Sequence, residues 1–184
     1  MSWIVVALVV GALLFGISIY NRLVALRNRS ENAWSDIDVQ LKRRHDLIPN
    51  LVETVKGYAA HESGTFEAVT AARTQATRAT GTAERGQAEA VLGGAIRGLL
   101  AVAEAYPDLK ANENFVSLQG ELSVLEDAIQ NARRYFNAVV RDLNTACDVF
   151  PSNLVARNFG IVKQDYFELD DEAERATPKV NFGA

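Results

Sequence analysis

Residues 42 to 50 hold the densest set of side chains that could do chemistry: Lys42, Arg43, Arg44, His45, Asp46 and Asn50, gathered around Pro49. The basic run could attract anionic lipid or nucleic acid, and His45, His61 and Glu62 could suggest a metal or an acid/base site. Pro49 has no N–H, so within a helix it leaves the carbonyl of His45 unserved and normally kinks the axis. Two readings stand. In one, the run is a solvated face with Arg44 or His45 paired to a carboxylate of the bundle. In the other, the cluster contacts a second protein.

A metal or catalytic centre is harder to build. The chain's two histidines, His45 and His61, lie 16 residues apart, about 24 Å along one helix, so they cannot share an ion. His61-Glu62-Ser63-Gly64-Thr65 lacks the second histidine of the zinc-protease pattern. Cys147 is the sole cysteine and sits in an apolar helical pattern, which leaves neither a disulfide nor a cysteine cluster and reads as a small core residue. No Ser, Cys or His triad can be assembled. The sequence therefore predicts no enzyme, cofactor or metal.

The elements that position these residues are helical throughout. The first 21 residues carry no charged side chain, and Trp3 to Ile19 is apolar except for Gly11, Gly16 and Ser18. A helix over that stretch spans about 26 Å, enough to cross a bilayer. No basic residue precedes it and no small-x-small cleavage site follows before Arg22, which favours an uncleaved anchor with Trp3 and Tyr20 at its ends. Gly11 and Gly16 fall in small-xxx-small pairs with Ala7 and Ala12 that permit close helix approach. Arg22, Arg27 and Arg29 follow at once, placing the bulk of the chain on the cytoplasmic side and within reach of lipid phosphates. The formal charge is −4, with 19 basic and 23 acidic residues all beyond the anchor, so no nucleic-acid footprint shows.

From Phe115 through Leu118, Leu122, Leu125, Ile129, Ala132, Phe136, Val139, Leu143 and Ala146 to Phe150, apolar residues recur at alternating steps of three and four. This predicts a long, coiled-coil-like helix from Asn112 to Phe150, capped by Asn112 and stopped by Pro151. A second stripe runs from Trp34 through Ile37, Leu41, Ile48, Val52 and Val55 to Ala59. Two weaker helices lie between, about Ser63 to Thr80 with Phe66, Val69 and Ala76 inward, and about Glu84 to Tyr106 with Val91, Ala95, Leu99 and Val102 inward. Gly93, Gly94 and Gly98 weaken the latter by about 1 kcal/mol each, which predicts close backbone approach to a neighbour. The pattern gives an all-α chain: an anchor over 1–20, a helical stalk over 21–33, an antiparallel up-and-down four-helix bundle over 34–150 and an extended tail over 151–184. Phe159, Ile161, Val162, Tyr166, Phe167 and Leu169 lack helical periodicity and read as docking anchors, ahead of the acidic Asp170, Asp171, Glu172 and Glu174.

The run Ala33 to Glu62, with Leu41-Lys42-Arg43-Arg44, Asp46-Leu47-Ile48-Pro49-Asn50-Leu51-Val52 and Lys56-Gly57-Tyr58-Ala59, closely resembles the LemA family of bacterial membrane proteins. So do Ala132-Arg133-Arg134-Tyr135-Phe136-Asn137, Val140-Arg141, Phe150-Pro151-Ser152-Asn153, Phe159-Gly160 and Phe167; Ile161 stands where many relatives carry a second Phe. The likeness covers about Tyr20 to Phe167. It implies a single membrane helix, a long helical bundle and no reaction, at the inner membrane. Two functions fit: a scaffold that forms homo-oligomers, with tails bridging protomers, to organise the membrane or its clients, or an adaptor for a membrane protease.

Overall fold

The computed structural model describes residues 2–168, all helix, turn and irregular chain among the described residues. Leu169 and the acidic tail residues fall outside them. Among the described residues six helices follow in order: α1 (Ser2–Lys56), α2 (Ser63–Arg78), α3 (Thr82–Glu104), α4 (Pro107–Lys110), α5 (Glu113–Asp148) and α6 (Ser152–Asn158). The chain divides into two compact units, Met1–Arg44 with Leu122–Tyr166, and His45–Glu121 with Phe167–Ala184.

In the first unit, α1 begins as an open apolar helix. Trp3, Leu8, Leu13 and Phe15 are exposed, in a stretch long and apolar enough to cross a membrane. From Leu23 onward the helix buries one face. Leu23 and Leu26 join Leu143 and Ala146 of α5, Ala156 of α6 and Ile161 in one apolar cluster. Further along, Trp34 meets Phe136 with ring centroids 5.4 Å apart, and Ile37, Leu41, Ile129 and Val140 are sealed from solvent. The α5 stripe holds over most of its length, with Leu118, Leu125 and Ala132 half-buried. Its last member departs: Phe150 lies beyond the end of α5 and is 78% exposed.

The chain beyond Pro151 is not uniformly extended. It first forms α6. Gly160, at φ +65°, turns the chain, and the N–H of Ile161 reaches back to the carbonyl of Ala156 at 2.9 Å, the glycine-dependent ending that caps orphan carbonyls. The irregular segment that follows is clamped by one side chain. Asn144 accepts from the N–H of Gln164 through Oδ1 and donates to its carbonyl through Nδ2, both at 2.9 Å.

In the second unit, α2 and α3 pack against each other. Phe66, Val69 and Ala76 face inward from α2, as the spacing predicts, and Ala72 joins them. In α3 Leu99 is buried as predicted and Ala95 and Val102 are half-buried, but the sealed row runs through Ala88, Leu92, Ile96 and Ala103, and Val91 is 54% exposed. No neighbouring helix presses on Gly93, Gly94 or Gly98; a Cβ there would meet at most the guanidinium of Arg97 at 3.9 Å. The close approach falls instead at Gly86, where a Cβ would collide with the carbonyl oxygen of Glu168. Gly81, at φ +77°, makes the turn into α3. Pro107 and Asp108 open the single helical turn α4, which buries Leu109 completely. Asn112 caps α5 as expected, accepting from the N–H of Phe115 at 3.0 Å while its amide donates to Tyr58 Oη at 3.0 Å.

Candidate functional site

α1 continues as helix through Pro49, so the missing N–H must be compensated. The donor is Arg73 on α2, whose Nε bonds the main-chain carbonyl of His45 at 2.7 Å. The His45 ring turns to α3, with Nε2 2.7 Å from Glu89 Oε1; the His45 side chain is 11% exposed and that of Glu89 is sealed. A buried carboxylate is tolerated only when paired and hydrogen-bonded, and the imidazole supplies that partner. One side chain and one carbonyl of the same residue thus tie α1 to both α2 and α3.

The neighbouring Arg44 serves the first unit. Its guanidinium is 1% exposed and donates from Nη1 to Glu126 Oε2 of α5 at 2.9 Å, with Glu126 about half exposed. Consecutive helical side chains diverge by about 100°, which is how Arg44 and His45 reach different partners. The rest of the predicted cluster turns outward: Arg43 in the first unit, and Asp46, Pro49 and Asn50 in the second, are exposed. His61 is exposed in the turn after α1. Among the described residues no three His, Cys, Asp or Glu side chains are grouped to hold a metal.

Of the arginines after the apolar stretch, Arg27 ion-pairs with Glu31 at 3.7 Å. Arg22 and Arg29 instead line a cavity of about 740 Å³ with Arg141 of α5. The rings of Tyr20 and Phe159 meet at a tilt of 51°, with centroids 4.6 Å apart. Gly11 and Gly16 meet nothing within 4 Å of an added Cβ, so their faces are open. Tyr166 is partly exposed, but Phe167 is completely buried within its own chain. Of the aromatic docking anchors, Phe167 is thus taken up within its own chain, whereas Phe159 touches Tyr20 and stays 63% exposed.

Lys163 contacts Asp148 at 2.7 Å, and that hydrogen bond raises the ammonium pKa above its usual value. Cys147 is half-buried; burial first, then the charge of Asp148, pushes its thiol up. Sequence reasoning missed Arg73, Glu89 and Glu126. The available signals were the carbonyl that Pro49 leaves unserved and an acidic residue inside the Ala88–Leu92–Ile96 row of α3.

Comparison with known proteins places this architecture. The chain is 27% identical over 157 residues to Protein LemA of Metamycoplasma hominis, covering 82% of this chain and 69% of that protein. It is 26% identical over 175 residues to Magnetosome protein MamQ 2 of Paramagnetospirillum magneticum, covering 81% and 64%. With Magnetosome protein MamQ of Magnetospirillum gryphiswaldense it shares 25% over 174 residues, covering 80% and 64%. The chain therefore spans about two thirds of the length of these relatives. The LemA family model matches residues 33–182, from the start of the Trp34 stripe through the docked tail and beyond, and the chain belongs to the LemA family.

Proposed function

We propose that this protein is a non-enzymatic, membrane-anchored helical scaffold that forms homo-oligomers to organise the membrane or client proteins. The observation that carries the reading is α1 itself: an apolar stretch exposed from Trp3 to Ile17 passes without a break into a helix that buries Leu23, Ile37 and Leu41. A bilayer is the environment that such an exposed stretch fits. Arg22, Arg27 and Arg29 favour a cytoplasmic bundle at a bacterial inner membrane. Pairing of α1 with α5 supports an antiparallel four-helix bundle, since ascending α1 positions Leu23, Trp34 and Arg44 go with the descending α5 positions Leu143, Phe136 and Glu126. Exposed Val39, Val124 and Tyr135 leave apolar surface for contacts between copies. Two of the relatives are named as magnetosome proteins, which suits a part in a larger assembly.

The adaptor for a membrane protease is the second reading. It draws on the exposed Arg43 in one unit and Asp46 and Asn50 in the other. Mass measurement on the full chain in detergent separates the two. A discrete high-order species supports the scaffold, and a monomer refutes it in favour of the adaptor.

A further inference from the structure

The cavity of about 740 Å³ in the first unit joins two chemistries. Its lining includes Phe15 and Ile19 of the apolar stretch and Phe150, the aromatic ring left 78% exposed past the end of α5. It also includes Arg22, Arg29 and Arg141. Among the described residues none of these three arginines has an ion pair or a side-chain hydrogen bond. The cavity's single carboxylate, Asp142, leaves a surplus of two positive charges. Arg22 stands three residues beyond Ile19, about 4.5 Å along the axis, which is headgroup depth if the apolar stretch spans the hydrocarbon. Arg29 is farther out, but helical side chains lean toward the helix N-terminus, and for α1 that is the membrane side.

We propose that this cavity binds one anionic phospholipid, its phosphate held by Arg22, Arg29 and Arg141 and the start of an acyl chain laid along Phe15, Ile19 and Phe150. The proposal rests on the membrane anchoring put forward above. Guanidinium groups suit it because they bond phosphate oxygens through a planar fork of donors. Arg27 is excluded from the site, though it lies between Arg22 and Arg29 in sequence, because its charge is matched by Glu31. Arg141 is included, though it lies more than a hundred residues away.

The test is native mass spectrometry of the full chain in detergent, titrated with phosphatidylglycerol, phosphatidylcholine or glycerol phosphate. The expected result is one retained phosphatidylglycerol per chain, with weak retention of the other two. Arg141→Gln should weaken retention about fivefold and the triple Arg22→Gln, Arg29→Gln, Arg141→Gln about a hundredfold, from about a fivefold loss per basic group. Arg27→Gln, with the same charge change, should leave it nearly unchanged. Phe150→Ser should weaken the lipid but not glycerol phosphate. Equal losses for Arg27→Gln and Arg141→Gln would replace the site with a diffuse surface potential, and glycerol phosphate binding as well as the lipid would make it a free-phosphate site; either overturns the proposal. Anchoring is read separately, by sedimentation of the unmodified chain with phosphatidylcholine vesicles in high salt. A chain that stays in solution there overturns the anchor and the lipid site together, while a chain that anchors without preferring phosphatidylglycerol overturns the lipid site alone.

Discussion

Arg73 donates through Nε to the main-chain carbonyl of His45 at 2.7 Å, four residues before Pro49, and so fills the gap that the proline opens in α1. A buried acceptor left without its donor costs about 1 to 3 kcal/mol. Arg73→Ala should destabilise by that amount. In a Pro49→Ala background the new N–H serves the same carbonyl, and the loss should shrink markedly. Chemical unfolding of the four variants measures the coupling; an equal loss in both backgrounds would show that Arg73 matters for something other than the proline.

The His45–Glu89 pair should behave as a unit. Either His45→Leu or Glu89→Leu leaves a buried polar partner and should cost about 1 to 3 kcal/mol, whereas the double change removes both polar groups and should recover part of the loss. Strict additivity in a double-mutant cycle would contradict the pairing.

Glycines in α3 should sort by surroundings. Gly98→Ala has open space and Gly93→Ala meets only the tip of Arg97, so each should stabilise by about 0.5 to 1 kcal/mol. Gly86→Ala drives its methyl into the backbone of Glu168 and should lower the melting temperature and raise hydrogen exchange around Phe167. A stabilising Gly86→Ala would disprove the close approach.

Cys147 should alkylate more slowly in the folded chain than in the unfolded one at pH 8, because burial holds its proton on. The stability consequence has a definite sign. Once pH passes the ordinary thiol value of 9.0, the unfolded chain binds fewer protons than the folded one, so stability falls until the raised folded pKa is reached. Lys163, also raised, acts in the same direction above 10.5. Stability that rises between pH 9 and 10 in a Cys147→Ser comparison would refute the shift.

The long α5 stripe was legible because three- and four-residue steps fix one helix face without ambiguity, and Asn112 announces its start. α3 was harder. Its Ala- and Gly-rich sequence offers two nearly equal apolar rows, one through Val91 and Ala95 and one through Leu92 and Ile96, and only packing within the second unit selects the second. The fate of Arg44 and His45 was half legible: a buried charge demands a partner, but periodicity cannot say which of many carboxylates provides it. Arg141 stood out only as part of a motif, since Arg22 and Arg29, which line the cavity with it, come from α1.

The clamp between Asn144 and Gln164 distributes mutational tolerance unevenly. Asn144 grips only main-chain atoms, so position 164 is free to accept almost any residue except proline, which lacks the N–H. Position 144 has no such latitude: aspartate, of nearly the same shape, keeps the acceptor, forfeits the donor and sets a negative charge against a carbonyl. Drift should therefore accumulate on the segment being held and spare the residue that holds it.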